Sequence, residues 1–264
     1  MAMFDSLTTR MPNGVTNAAP WQTMGAAGTG DPTWSHIYAN DFDTYAAGDW
    51  TIALTGTGTV AKTDFDGGAI LVSNTAGATD SQYVQLTNAG FKIHPAKATF
   101  FKFAGQMSDI ANSTFYAGLV QKGATTIASI TDGIFLSKDT STTGALTLHV
   151  RQASTNYQVA LPALNAIVAN TYFELGIMVD YLGNVAAFFN PTTGSNPISA
   201  AAAASTQNRG RDATLFAAGL GLSQTQTVPV VLPTALLTPA FGLLNASAAT
   251  RTLTVDYIVA SCER

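Results

Sequence analysis

The chain has 264 residues, a formal net charge of −4 and a charged fraction of 11%, where about 25% is usual in globular domains. That balance excludes a nucleic-acid footprint, which needs clustered Lys and Arg, and leaves few of the Glu, Lys and Arg residues that solvent-facing helices are built from. Apolar residues make up 47%, enough for a large core, but Thr, Ser, Asn and Gly interrupt every run short of the ~20 residues that cross a bilayer.

In chain order, residues 1–36 read as an extended arm, with Pro12, Pro20 and Pro32, a Gly-rich run from Gly25 to Gly30 and no sustained period. Its first part, Met1 to Pro12, has one arginine and no apolar stretch of the kind a secretory signal carries, so synthesis in the cytoplasm is expected. Phe4, Met11, Trp21, Met24 and Trp34 give it more large apolar groups than a disordered tail usually holds. Such spaced anchors order an extended segment against a partner or along the domain's own sheet. Phe4, Arg10, Met11, Trp21 and Trp34 are therefore candidate partner contacts.

From Ile37 to the end, residues 37–264, the pattern changes to short period-two segments broken by Gly, Asn, Asp, Ser and Thr, which predicts an antiparallel two-sheet sandwich. Weaker strand runs fall near residues 50–54, 57–62, 69–73, 82–87, 155–160, 214–222 and 236–244. Segments 98–103, 114–120, 133–136 and 184–189 are apolar on both faces and suit central strands. Over 145–151, Leu146, Leu148 and Val150 share one face, and Thr147, His149 and Arg151 take the other. Over 171–180, Phe173, Leu175, Ile177 and Val179 point inward, which places Glu174 on the exposed side. Tyr181-Leu182-Gly183-Asn184 then supplies a hairpin turn.

Two stretches resist the strand reading. The alanine run 199–205 is a loop or one short helix, and 228–239, with Pro229, Pro233 and Pro239, is an extended connector whose prolines are unsuited to a central ladder. Between them, Arg209-Gly210-Arg211 is the only near-basic cluster, a solvated turn or a polar contact to a protein neighbour. The domain closes on 251–260, where Leu253, Val255, Tyr257 and Val259 are expected to form the core face.

The chemistry-bearing residues are few. Only two of the acidic residues are glutamates, Glu174 and Glu263, the second in what reads as a frayed terminus. The paired carboxyls of a glycosidase are therefore not visible, and no Gly-x-Ser-x-Gly elbow or phosphate loop occurs. Asp41-Phe42-Asp43 and Asp64-Phe65-Asp66-Gly67-Gly68 alternate aspartates but lack a calcium loop's ligand run, so they read as strand ends with capping Asp. His36, His94 and His149 lack zinc spacing and read as surface residues. Cys262 reads as a small side chain at a strand end, and the glycosylation-type triplets at Asn112 and Asn245 as coincidences. No catalytic residue, metal or cofactor is expected.

Asn40-Asp41-Phe42-Asp43-Thr44-Tyr45, the block 171–189 and the closing Leu253-Thr254-Val255-Asp256-Tyr257-Ile258-Val259 resemble the concanavalin-like jelly-roll sandwiches of tailed-phage virion proteins. The charge-poor Ala, Thr, Ser and Gly composition with a Pro/Gly arm is similar to that of phage decoration, or cement, proteins. The resemblance implies a non-enzymatic structural protein on the capsid surface of a virion, clamping major capsid subunits. Its partners would be the major capsid protein and copies of itself as a homotrimer, without nucleic acid or membrane. The alternative is a glycan-binding module of a phage tail, fibre or bacterial surface, using exposed aromatics such as Tyr116, Tyr157 or Tyr172.

Overall fold

A computed structural model describes residues 35–65, 67–88, 90–94, 97–161, 166–180, 183, 185–191 and 231–264. These hold fourteen strands: β1 (Ser35–Asn40), β2 (Trp50–Thr55), β3 (Gly58–Thr63), β4 (Ala69–Asn74), β5 (Ser81–Leu86), β6 (Thr99–Met107), β7 (Ser113–Gln121), β8 (Gly133–Lys138), β9 (Leu146–Gln152), β10 (Thr155–Ala160), β11 (Tyr172–Val179), β12 (Val185–Pro191), β13 (Leu237–Asn245) and β14 (Arg251–Glu263). One short 3-10 turn, Ala47–Asp49, precedes β2. Phe4, Arg10, Met11, Trp21, Met24 and Trp34 of the arm, and Arg209 and Arg211, lie outside the described residues. Residues 35 and 36, at the end of the expected arm, already belong to β1.

The strands form two sheets, and every pairing is antiparallel. Sheet A runs β12-β11-β6-β14-β4-β3, with β1 also on β14, and sheet B runs β10-β9-β8-β7-β13-β5-β2. The alternation seen in sequence sets the core. Leu146, Leu148 and Val150 of β9 meet Phe173, Leu175, Ile177 and Val179 of β11 in one buried cluster between the sheets. At its centre the Phe103 ring lies 5.4 Å from Phe115, 5.8 Å from Phe241 and 6.2 Å from Phe173, centroid to centroid. Gly183, at φ 81°, donates its amide to the Asp180 carbonyl in the hairpin between β11 and β12, a conformation glycine adopts without strain.

Three expectations need correction. The first concerns β12, which is an edge strand of sheet A rather than a central one. The second concerns Pro239, which sits within β13, between β7 and β5. The ladder to β5 begins one residue later, at Ala240–Gln85, and the Leu86 carbonyl accepts instead from the Thr238 hydroxyl at 2.8 Å. A side-chain donor thus replaces the amide that proline lacks.

The third correction is in β14. Its register against β6 shifts between Val255 and Tyr257, which makes Asp256 a bulge residue. One inserted residue moves everything after it to the other face. Leu253 and Val255 are buried as expected, but Ile258, Ala260 and Cys262 continue the core, while Tyr257 and Val259 are only partly buried, on the outer side. Nor is the terminus frayed: Ser35 pairs with Glu263, whose carboxylate accepts the Ala98 amide at 3.0 Å.

At one end of the sandwich a buried amide network joins the sheets. Asn74 donates to the Asp80 carbonyl at 2.9 Å and the Leu243 carbonyl at 3.1 Å, and its own oxygen accepts from Gln82 at 3.1 Å. Asn245 donates to the carbonyls of Thr75 at 2.7 Å, Gly77 at 3.2 Å and Ala249 at 3.0 Å. Buried as it is, Asn245 is in no position to accept a glycan.

Candidate functional site

None of the seven strands of sheet B contains an Asp or a Glu. Across all fourteen strands the carboxylates are Glu174, Asp256 and Glu263, and two of the three meet on the outer face of sheet A. Glu174 alternates with buried Phe173 and Leu175 and so projects outward from β11. The bulge brings Asp256 out of the ladder and turns Tyr257 to the same outer face.

The register explains how they touch. Tyr257 lies opposite Ala104 on β6, and Ala104 lies opposite Glu174 on β11. The small alanine lets the tyrosine ring cross β6, and its hydroxyl donates to Glu174 Oε1 at 2.8 Å. Lys102 Nζ stands 3.5 Å from the same oxygen and 4.9 Å from the Tyr257 ring centroid, a cation–π contact. Tyr172, one turn of alternation along β11, donates its hydroxyl to Asp256 Oδ2. Glu174 is therefore half-buried and engaged, not simply exposed as its strand pattern suggested.

The loop after β3 completes the patch. Phe65 stacks on Tyr172, with centroids 6.3 Å apart and planes at 13°, and is 42% exposed. The adjoining Gly68 makes this loop possible: at φ +90°, a Cβ there would stand 2.6 Å from the Asp43 amide. The two Asp-containing segments of the sequence thus abut. Asn40 Oδ1 accepts the Phe42 amide at 2.8 Å in the turn that ends β1, and drives the Phe42 ring into the core against Trp50, 5.7 Å away. Asp66 lies outside the described residues, and no group of three metal-ligating side chains occurs among those described.

Burial raises the Asp256 carboxyl above its ordinary range, and the charges of Glu174 and Asp41 push it further, against the pull of the Tyr172 hydrogen bond and Lys102. The Tyr172 and Tyr257 hydroxyls are driven far upward, first by burial and then by the same carboxylates. Both phenols remain protonated donors at any physiological pH. The patch thus offers two carboxylates fixed in orientation, one ammonium and a stacked aromatic pair.

The outer face of sheet B differs. Tyr116 is fully buried there with Tyr83, Phe135 and Ile130, and Tyr157 turns inward against the main core, so neither is an exposed aromatic. His149, expected at the surface, is buried and stacked on Phe135 at 4.7 Å. Asn156 donates to Gln158 at 3.0 Å, which leaves its oxygen to face His149 Nδ1 at 3.2 Å, while His149 Nε2 meets the Ser137 hydroxyl at 2.8 Å. These are the contacts of a nucleophile and its base. Yet Ser137 is 2% exposed and sits mid-strand with ladders to both β7 and β9, so no backbone amide is left beside it for an oxyanion hole.

The imidazole of His149 is held below its ordinary pKa, chiefly by burial, with Arg151 adding to the effect against Asn156 and Asp139. The unfolded chain then binds the proton more readily. The corresponding stability is complete above the unfolded value of about 6.5 and is lost as pH falls towards the lower folded value. Melting curves between pH 7 and pH 5 should show a smaller acid loss for His149→Gln than for the parent chain; equal losses would remove His149 as the source.

Two antiparallel sheets packed face to face, with β14, the last of the described strands, in the middle of one of them, define a concanavalin-like jelly-roll sandwich. No protein-family model matches the chain and no curated protein matches it. Solved structures do match. A protein of unknown function from Shewanella oneidensis MR-1 is similar over 91% of this chain and 91% of its own, at 12% identity and a TM-score of 0.52. An endo-1,3-beta-glucanase from Streptomyces sioyaensis covers 89% of this chain with 99% of its own, at 11% identity and 0.52. Peanut lectin, solved with a nine-residue peptide, covers 86% with 97% of its own, at 10% identity and 0.50. At these identities the likeness concerns the fold, one that lectins and glycan-cleaving enzymes share.

Proposed function

We propose that the sandwich is a glycan-binding module that holds a sugar without cleaving it, on the outer face of sheet A. The observation that carries this reading is the half-exposed Phe65 stacked on Tyr172 beside two oriented carboxylates. A sugar ring offers an apolar C–H face to an aromatic ring and hydroxyls to fixed acceptors, which is the mixture this patch presents. Cleavage would need one carboxyl as a free acid and a second as nucleophile or base; here each accepts a tyrosine hydroxyl. The occurrence of the fold in a lectin supports the same reading.

A glycan array, probed with and without calcium, should return a reproducible hit. Phe65→Ala should then weaken binding three- to tenfold, the equivalent of about 0.5–1.5 kcal/mol of ring contact, with melting unchanged. Full affinity in that variant would displace the site from this patch. Silence on the array combined with stoichiometric binding to phage capsids would instead favour the capsid-surface role.

A further inference from the structure

We infer that the free edge of β2 is a self-association surface, on which a second copy of this chain adds its own β2 antiparallel and joins the two sheets B into one. β2 ends sheet B and has β5 as its only strand neighbour among the described residues. Its six residues, Trp50-Thr51-Ile52-Ala53-Leu54-Thr55, include no charge and no proline, and its pairing with β5 runs without a bulge. Charges, prolines and bulges are the devices by which solitary sheet edges avoid pairing. Other edges differ: β3 carries Lys62, β12 runs to Pro191, the exposed side chains of β10 are Thr155, Asn156, Gln158 and Ala160, and β1, which pairs only with β14, exposes only Ala39.

The side chains point to a copy of the same strand as the occupant. Ile52 is 37% exposed and Leu54 48%, and among the described residues no other strand exposes a large apolar side chain. Both sit on the face of β2 that looks between the sheets, since Ile52 pairs with buried Val84 and Leu54 with buried Gln82. A two-fold axis perpendicular to the sheet keeps that face on the same side in both copies and pairs only residues of equal parity. Centred on Ala53, it places Ile52 of one copy opposite Leu54 of the other, twice. Four aliphatic groups then cover one another, and no like charges oppose across the seam. Any heterologous partner would have to supply an equally uncharged, apolar edge; the second copy supplies it by symmetry.

The register dictates the test. In the full chain, Ile52→Lys with Leu54→Lys opposes like charges across the axis, whereas Ile52→Lys with Leu54→Glu opposes Lys to Glu. Light scattering after size exclusion, from about 1 to about 100 µM, covers the range of ordinary self-association. The parent chain should reach twice the monomer mass, the Lys/Lys variant should remain monomeric, and the Lys/Glu variant should regain the dimer, with circular dichroism confirming that both variants fold. A monomeric parent throughout that range, a trimeric mass, or two variants that behave alike would each overturn the inference.

Discussion

Phe103→Ala is expected to lower the free energy of unfolding by about 3–5 kcal/mol, the cost of deleting a fully buried aromatic ring. The magnitude follows from position. Phe103 contributes the ring that Phe115 and Phe241 of sheet B and Phe173 of sheet A all approach, so its removal leaves a void lined by groups from both sheets. Those rings are anchored on β7, β13 and β11, each held in a ladder on both sides, and the walls have little freedom to collapse. Phe103→Leu, which fills much of the same space, should lose markedly less. Urea titration of the two variants checks this; equal losses would mean that the ring packing is not what matters there.

The second large effect is expected from a polar residue. Asn245→Ala removes the donor that satisfies three carbonyls, Thr75, Gly77 and Ala249, and the oxygen that accepts from Asn74 at 3.2 Å. The three carbonyls are only partly buried, so water takes up part of the lost donation, whereas the buried Asn74 amide loses this acceptor at a cost of about 1–3 kcal/mol. A net loss of about 3 kcal/mol is therefore expected, concentrated at the end where the β4–β5 turn meets the β13–β14 turn. Ala248→Ser, an exposed change in the same turn, should stay within about 0.5 kcal/mol of the parent. A similar small change for Asn245→Ala would show that the network does not hold the two turns together.

Much of the fold is legible in the sequence because burial on one face imprints a period of two. β9 and β11 are readable for that reason, and so is the hairpin at Gly183. β13 is not, because the hydroxyl that compensates for Pro239 belongs to its neighbour Thr238 and has meaning only once β5 is in place. The outer half of β14 is hidden by its bulge: a single unpaired residue, Asp256, inverts the faces downstream, and nothing in the local pattern marks the inversion.

The candidate site is harder to read for a related reason. Glu174 is isolated along the chain, but the strand order brings Tyr257 to it across β6, and the bulge brings Asp256 to Tyr172. Tyr172, named as an exposed aromatic, and Glu174, placed on the outward face, could be anticipated; Lys102 and Tyr257 acquire their roles from cross-strand register, and Phe65 from the loop after β3. The anchors expected in the arm, Phe4, Arg10, Met11, Trp21 and Trp34, and Arg209 and Arg211, lie outside the described residues.

The position of β14 has a consequence for the order of folding. It follows every other described strand along the chain, yet it lies between β6 on one side and β4 and β1 on the other. Until it arrives, sheet A exists only as separable pieces, β3 with β4 and β6 with β11 and β12. Among the described strands β1 waits longest, since Ser35 finds its partner in Glu263. Contacts of such sequence separation are slow to form, and a nascent chain would hold its aromatic core half-covered until β14 emerges. The emergence of β14 thereby sets the moment at which sheet A can assemble.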